Sequence, residues 1–97
     1  MLTNRQKKFL RKQAHDIKPI FQIGKSGIHQ TMIAEIAAAL EARELIKISI
    51  LQNALEDTEE AGQQLASKTD ADVVQTIGST IVLYKESREN KHIELPR

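Results

Sequence analysis

The chain has 97 residues, 40% of them apolar and 28% charged, and no cysteine. That length supports one modest core, so residues 1–97 read as a single domain. The missing cysteine excludes disulfides, thiolate catalysis and cysteine-ligated zinc, and suits a reducing cytoplasm. The net charge of +1 hides an asymmetry: residues 1–29 carry seven bases against Asp16 alone, net +6, whereas residues 30–72 carry three bases against nine acids, net −6.

Residues 3–14 predict an amphipathic helix, with Thr3 or Asn4 as its N-cap. On a helical wheel Leu2, Gln6, Phe9, Leu10 and Gln13 gather on one side. Arg5, Lys7, Lys8, Arg11 and Lys12 fall on the other, with no acid among them. Bases early in a helix oppose its macrodipole, which argues against a purely structural role for this face. Residues 19–23 (PIFQI) predict a short strand, opened by a proline that suits a strand start or an edge. After the loop Gly24–Gly27, the spacing of Met32, Ile33, Ile36, Ala37 and Leu40 predicts a helix over 29–43. Its N-cap stays open, because His29 is a poor cap and Ser26 lies early.

Residues 46–50 (IKISI) alternate apolar and polar, the pattern of a half-buried strand. Asp57 followed by Glu60 resembles a capping box and starts a helix to residue 69. Residues 73–77 and 80–84 predict two strands joined by Gly78-Ser79, a Gly-X link that favours a type II′ turn. The polar tail 86–97 is expected to be partly mobile apart from Ile93 and Leu95. The element order α-β-α-β-α-β-β makes this an α/β fold, read as a two-layer sandwich with a four-stranded mixed sheet. Strands joined by helices should run parallel and the last two antiparallel.

The loop Gly24-Lys25-Ser26-Gly27 raises the question of a phosphate. A Walker A loop needs a glycine five positions before Gly-Lys-Ser, and Pro19 stands there, which argues against a nucleotide site. Two glycines at a helix entrance let a sugar-phosphate backbone lie close, with Lys25 adding a charge and Ser26 a hydroxyl. The GxxG clamp of KH modules grips single-stranded nucleic acid in this way. A turn that needs glycine for geometry alone reads the same four residues equally well. The uncompensated basic helix beside it tips the reading toward nucleic acid.

Enzyme chemistry has little to stand on. His15, His29 and His92 lack any metal-ligand spacing, so neither a metal nor another cofactor is expected. The acids Glu35, Glu41, Glu44, Glu56, Asp57, Glu59 and Glu60 read as a solvated face or a cap, with no acid–base pair among them. Phe9 and Phe21 read as core. Tyr84 reads as a core-edge residue or, with Lys85, as part of a ligand surface. No apolar run approaches the roughly 20 residues of a membrane span, and no apolar stretch follows the basic N-terminus to make a secretory signal.

The runs LTNRQKKFLRKQAHDIKPIFQIGKSGI, IAEIAAALEARELIKISIL and VVQTIGSTIVLYKES, with the later IELP, resemble the CRM domain (chloroplast RNA splicing and ribosome maturation). The chain is most similar to the bacterial stand-alone, YhbY-like members, over nearly its whole length. The resemblance implies a fold similar to the C-terminal domain of translation initiation factor three, with strand order 1-2-4-3. It also implies RNA binding through a KH-like GxxG loop, and association with precursors of the large ribosomal subunit. Carried onto this chain, the implied contacts are Gly24, Lys25, Ser26, Gly27, Arg5, Lys8, Arg11 and Lys12, together with Lys18 and Lys85. His29 stands where relatives often carry a capping threonine, and that leaves open an imidazole near the phosphate.

The expectation is a cytoplasmic protein that grips ribosomal RNA through phosphates and shape, with low base specificity and steep salt dependence. No small-molecule substrate and no membrane partner are expected. A protein–protein adaptor, applying the acidic helices to basic ribosomal proteins, is the alternative.

Overall fold

The structure is a computed structural model that describes residues 2–52, 54 and 56–97. Its elements in chain order are α1 (Asn4–Ala14), β1 (Phe21–Ile23), α2 (Gln30–Arg43), β2 (Leu45–Ile50), α3 (Thr58–Thr69), β3 (Asp72–Ile77) and β4 (Thr80–Tyr84). The four strands form one mixed sheet in the order β1-β2-β4-β3. β1 runs parallel to β2, and β4 runs antiparallel to both β2 and β3. The α/β class, the mixed sheet and the strand order agree with the expectation.

Strand alternation sorts the apolar side chains into two cores. Ile46, Ile48 and Ile50 of β2 point with Ile81 and Leu83 of β4 toward α2 and α3, burying Ile36, Leu40 and Leu65. Leu45, Val82 and Tyr84 point the other way, against Leu10 and Ala14 of α1. A one-residue slip of β2 would drive Lys47 and Ser49 into the α2–α3 core, so the register is strongly fixed. A bulge between Val73 and Gln75 turns Val74 into the α1 core. The layering therefore differs from a two-layer sandwich: α1 covers the face opposite α2 and α3. Phe9 and Phe21 are half-buried against the two cores, and Tyr84 is buried in the α1 core.

Local signals set the boundaries. Thr3 caps α1 in a reciprocal capping box with Gln6. Asp57 caps α3 by accepting from the Glu60 N–H at 3.1 Å. His29 caps α2, its Nδ1 accepting from the Met32 N–H at 3.3 Å, so the residue set aside as a poor cap fills that role. An Nδ1 acceptor requires the neutral ring in that tautomer. Gly78, at φ +55, supplies the positive φ that a type II′ hairpin needs at its first position.

The tail is tied down rather than mobile. Two acids near the C-terminus of α2 accept its backbone N–H groups. Glu44, fully buried, takes Ser87 at 2.8 Å, His92 at 2.8 Å and Ile93 at 2.9 Å. Glu41 takes Arg88 and Glu89, each at 3.0 Å, and the Ser87 hydroxyl at 2.8 Å. Beyond them Ile93 and Leu95 pack beside α1, and the Pro96 carbonyl accepts from the Gln6 amide at 3.0 Å.

The N–H of Arg88, with the Ser87 hydroxyl and the Glu89 N–H, holds the Glu41 carboxyl down at about 2. Burial pushes the Glu44 carboxyl up, but the three N–H donors from His92, Ser87 and Ile93 override it and leave it lowered. Depressed carboxyl values stabilise the fold fully above the ordinary glutamate value of about 4.3, and that stabilisation is lost as pH falls through the folded values. The amides of Ser87, Arg88, Glu89, His92 and Ile93 are therefore expected to lose hydrogen-exchange protection as pH drops from about 4 toward 2, before the sheet does. Loss only together with the sheet would contradict this anchoring.

Candidate nucleic-acid interface

The sheet places the loop. Ile23 ends β1 and pairs with Ile50, Ser49 pairs with Thr80, and Thr80 pairs with Ile77. The Ile50 N–H also donates to the Ser79 carbonyl at 2.7 Å. Gly24–Gly27 and the Gly78-Ser79 hairpin thus share one end of the sheet. The loop closes as a turn, with the Gly27 N–H donating to the Gly24 carbonyl at 3.0 Å. Lys25 and Ser26 stand exposed at its tip.

The two glycines differ. A Cβ on Gly24 would rest 3.6 Å from Leu51 Cδ1, an ordinary contact. Gly27 has φ +73, and a Cβ there would meet Glu56 Oε1 at 2.7 Å. Gly27 is therefore favoured by its backbone conformation, while the Glu56 carboxylate, at the end of a flexible side chain, can swing aside. The Glu56 carboxylate at the loop works against an anion bound there. Glu56→Gln is expected to raise affinity for RNA about threefold by removing that like charge, as read by fluorescence anisotropy. An unchanged or weaker affinity would place the phosphate path away from Gly27.

α1 lies across the other face. It starts beside Tyr84 and Lys85, where Leu2 and Gln6 line a shared hollow, and ends with Arg11 and His15 against Lys47, Gln75, Ile77 and Thr80. Lys8, Arg11 and Lys12 thus rise toward the hairpin end of the sheet, where the loop also lies. The loop follows the edge strand β1, whereas α1 packs across β2, β4 and β3, so loop and helix are offset across the sheet. Arg11 and Lys12 fall in the last turn of α1, where the macrodipole favours them, so the helix opposes only its earlier bases. Both ion pairs among the described residues, Lys91–Glu86 and His92–Glu44, involve none of the α1 or loop cations.

Not every expected contact gathers here. Arg5 lies nearer the start of α1. Lys18 precedes β1 on the side away from the loop. Lys85 follows Tyr84, which pairs with Leu45 at the start of β2, so it sits at the opposite end of the sheet beside Asp70, Asp72 and Glu86. His29 is engaged as the α2 cap, with Ile28 between it and the loop. Lys47 joins the α1 and loop cations, although in the sequence it is only one of two polar residues in the alternation of β2. Lys47 lies on the α1 face, between the loop edge and Arg11. Tyr84 does not reach the surface: its hydroxyl is buried with no hydrogen-bond partner among the described residues, and burial, then the charges of Glu44, Glu86 and Asp72, push it up to about 12.

Among the described residues no three His, Asp or Glu side chains are grouped to hold a metal ion. No helix among them is long and apolar enough to cross a membrane.

Fold and surface define a small α/β domain with a glycine-bounded loop and a basic helix toward one end of its sheet. The model of the CRS1/YhbY (CRM) domain matches residues 2–85. The chain is 59% identical over 96 residues to the "Probable RNA-binding protein YqeI" of Bacillus subtilis, covering 99% of this chain and all of that one. It is 38% identical to an "RNA-binding protein" of Haemophilus influenzae, covering 99% of this chain and 96% of that protein. The solution structure of SAV1595 from Staphylococcus aureus superposes with a TM-score of 0.83 at 55% identity, over 99% of this chain and all of that one. The chain belongs to the CRS1/YhbY (CRM) domain family.

Proposed function

We propose that this protein binds RNA by its sugar-phosphate backbone, laid across the loop end of the sheet between Gly24–Gly27 and the basic face of α1. The observation that carries the reading is the set of exposed cations Lys8, Arg11, Lys12 and Lys25, which form no ion pair among the described residues, around one end of the fold with Lys47 between them. Phosphate contacts fix position without reading sequence, so specificity rests on RNA shape and on which segments are accessible. The RNA-binding names of the relatives support the same reading.

The partner proposed is ribosomal RNA of the large-subunit precursor, met in the cytoplasm during assembly. The adaptor alternative is weakened, because the carboxylates of Glu41 and Glu44 are spent on the protein's own tail. The test is cross-linking in cells, followed by sequencing of the attached RNA, with Gly24→Asp as the control. Aspartate at Gly24 has room but brings a charge repelled by phosphate. Enrichment of large-subunit precursor RNA by wild type, lost in Gly24→Asp, is the expected result. Equal recovery by both proteins, or no ribosomal RNA at all, would overturn the proposal.

A further inference from the structure

Between the second half of α1 and the β3–β4 end of the sheet lies a cleft of about 190 Å³. It is smaller than the several hundred Å³ of a drug-sized site and suits one flat ring system. Ala14 and Val82, both buried, form its floor, and Ile77 stands 60% exposed at its edge. The rim is polar: Arg11, His15, Lys47, Gln75 and Thr80. It adjoins a shallower basin that holds Lys8 and Lys12, with Asp16 as its one acid.

This lining asks for more than a phosphate. An anion gains from the cations but nothing from an apolar floor, and a paired base is held in its stack and cannot enter. An unpaired base offers a flat apolar body with a hydrogen-bonding edge. The Gln75 amide and the Thr80 hydroxyl each donate and accept, so they can meet the edges of different bases. The planar Arg11 guanidinium can stack on a ring.

We propose that this cleft receives one unpaired nucleobase of the RNA whose backbone runs along the basic face of α1. The inference rests on the RNA-binding reading and adds to it a preference for single-stranded segments with a base turned out.

The test compares a short single-stranded RNA with a strand of the same length and charge lacking bases, using anisotropy at fixed salt. The proteins are wild type, Gln75→Ala and Ile77→Ala, substitutions at solvent-accessible positions that leave the charge unchanged. Wild type is expected to prefer the base-bearing strand by about tenfold, and either variant to reduce this to about twofold with base-free binding unchanged. Retained preference in both variants, or no preference in wild type, overturns the cleft while leaving the backbone grip standing. Wild type that binds neither strand removes the RNA-binding reading itself. A second measurement needs no variant: titration with uridine monophosphate should move the methyl resonances of Ala14, Ile77, Thr80 and Val82. Shifts confined to the lysines would overturn the proposal.

Discussion

Replacing Lys8, Lys12 and Lys25 together by glutamine is expected to weaken RNA binding about a hundredfold at low salt, and to flatten its salt dependence by about two units of slope. The three side chains are exposed and outside both ion pairs of the described residues, so their removal breaks nothing in the fold. In the proposed grip each would act as a point charge that displaces counterions from phosphate, which makes the expected loss electrostatic and shared by all sequences. The combination spans loop and helix, so the single substitutions report how the grip divides between them. Anisotropy with a labelled RNA across a salt series reads both quantities. Affinity within twofold of wild type would show that this end of the molecule does not hold the RNA.

Glu44→Ala is expected to lower stability by about 3 kcal/mol, a fall in Tm of roughly 15 °C for a domain of this size. Three N–H donors, from Ser87, His92 and Ile93, lose their acceptor, and charge-assisted bonds of this kind are the stronger ones. Glu44 also sits at φ +67 and ψ −41, a conformation rare for a residue with a side chain. It is held there by its N–H to the Leu40 carbonyl at 2.8 Å and its carbonyl to the Lys85 N–H at 2.9 Å. Loss of the carboxylate frees the tail, and with it the cover of Ile93 and Leu95 over the α1 core. Glu44→Gly, which relieves the backbone but still lacks the carboxylate, should recover only about 1 kcal/mol. A Tm unchanged to within a few degrees in Glu44→Ala would mean that the tail contributes little to the fold.

The features legible in the sequence were those that depend on local spacing. The charges of α1, the alternation of β2 and the Gly-X link after Ile77 each encode their own element, and the structure realises all three. Placement across the sheet was another matter. Periodicity shows that α1 has an apolar side but not which face of the sheet receives it, so its position opposite α2 and α3 could not be read. In the sequence Lys85 extends the basic surface because it follows Tyr84, yet the antiparallel course of β4 carries it away from the loop. Lys47 was visible as a polar residue in β2, and only the position of α1 gives it a role. Glu41 and Glu44 read as solvated acids because their partners, backbone N–H groups and the Ser87 hydroxyl, lie more than 40 residues away in sequence, where spacing gives no signal.

The candidate site follows the same pattern. The glycines and basic residues stand out by type and spacing, while Glu56 against Gly27 arises from a tertiary contact between distant loops. That contact also gives the loop a negative neighbour which charge counting along the first 29 residues does not reveal.

The central claim, that RNA is held by its backbone at the loop end of the sheet, is tested most directly by the salt dependence of wild-type binding. If Lys8, Arg11, Lys12, Lys25 and Lys47 each neutralise a phosphate of a single strand, log K should fall linearly with log salt at a slope of about −3.5. A slope near zero, or no measurable binding to RNA at low salt, would contradict the account.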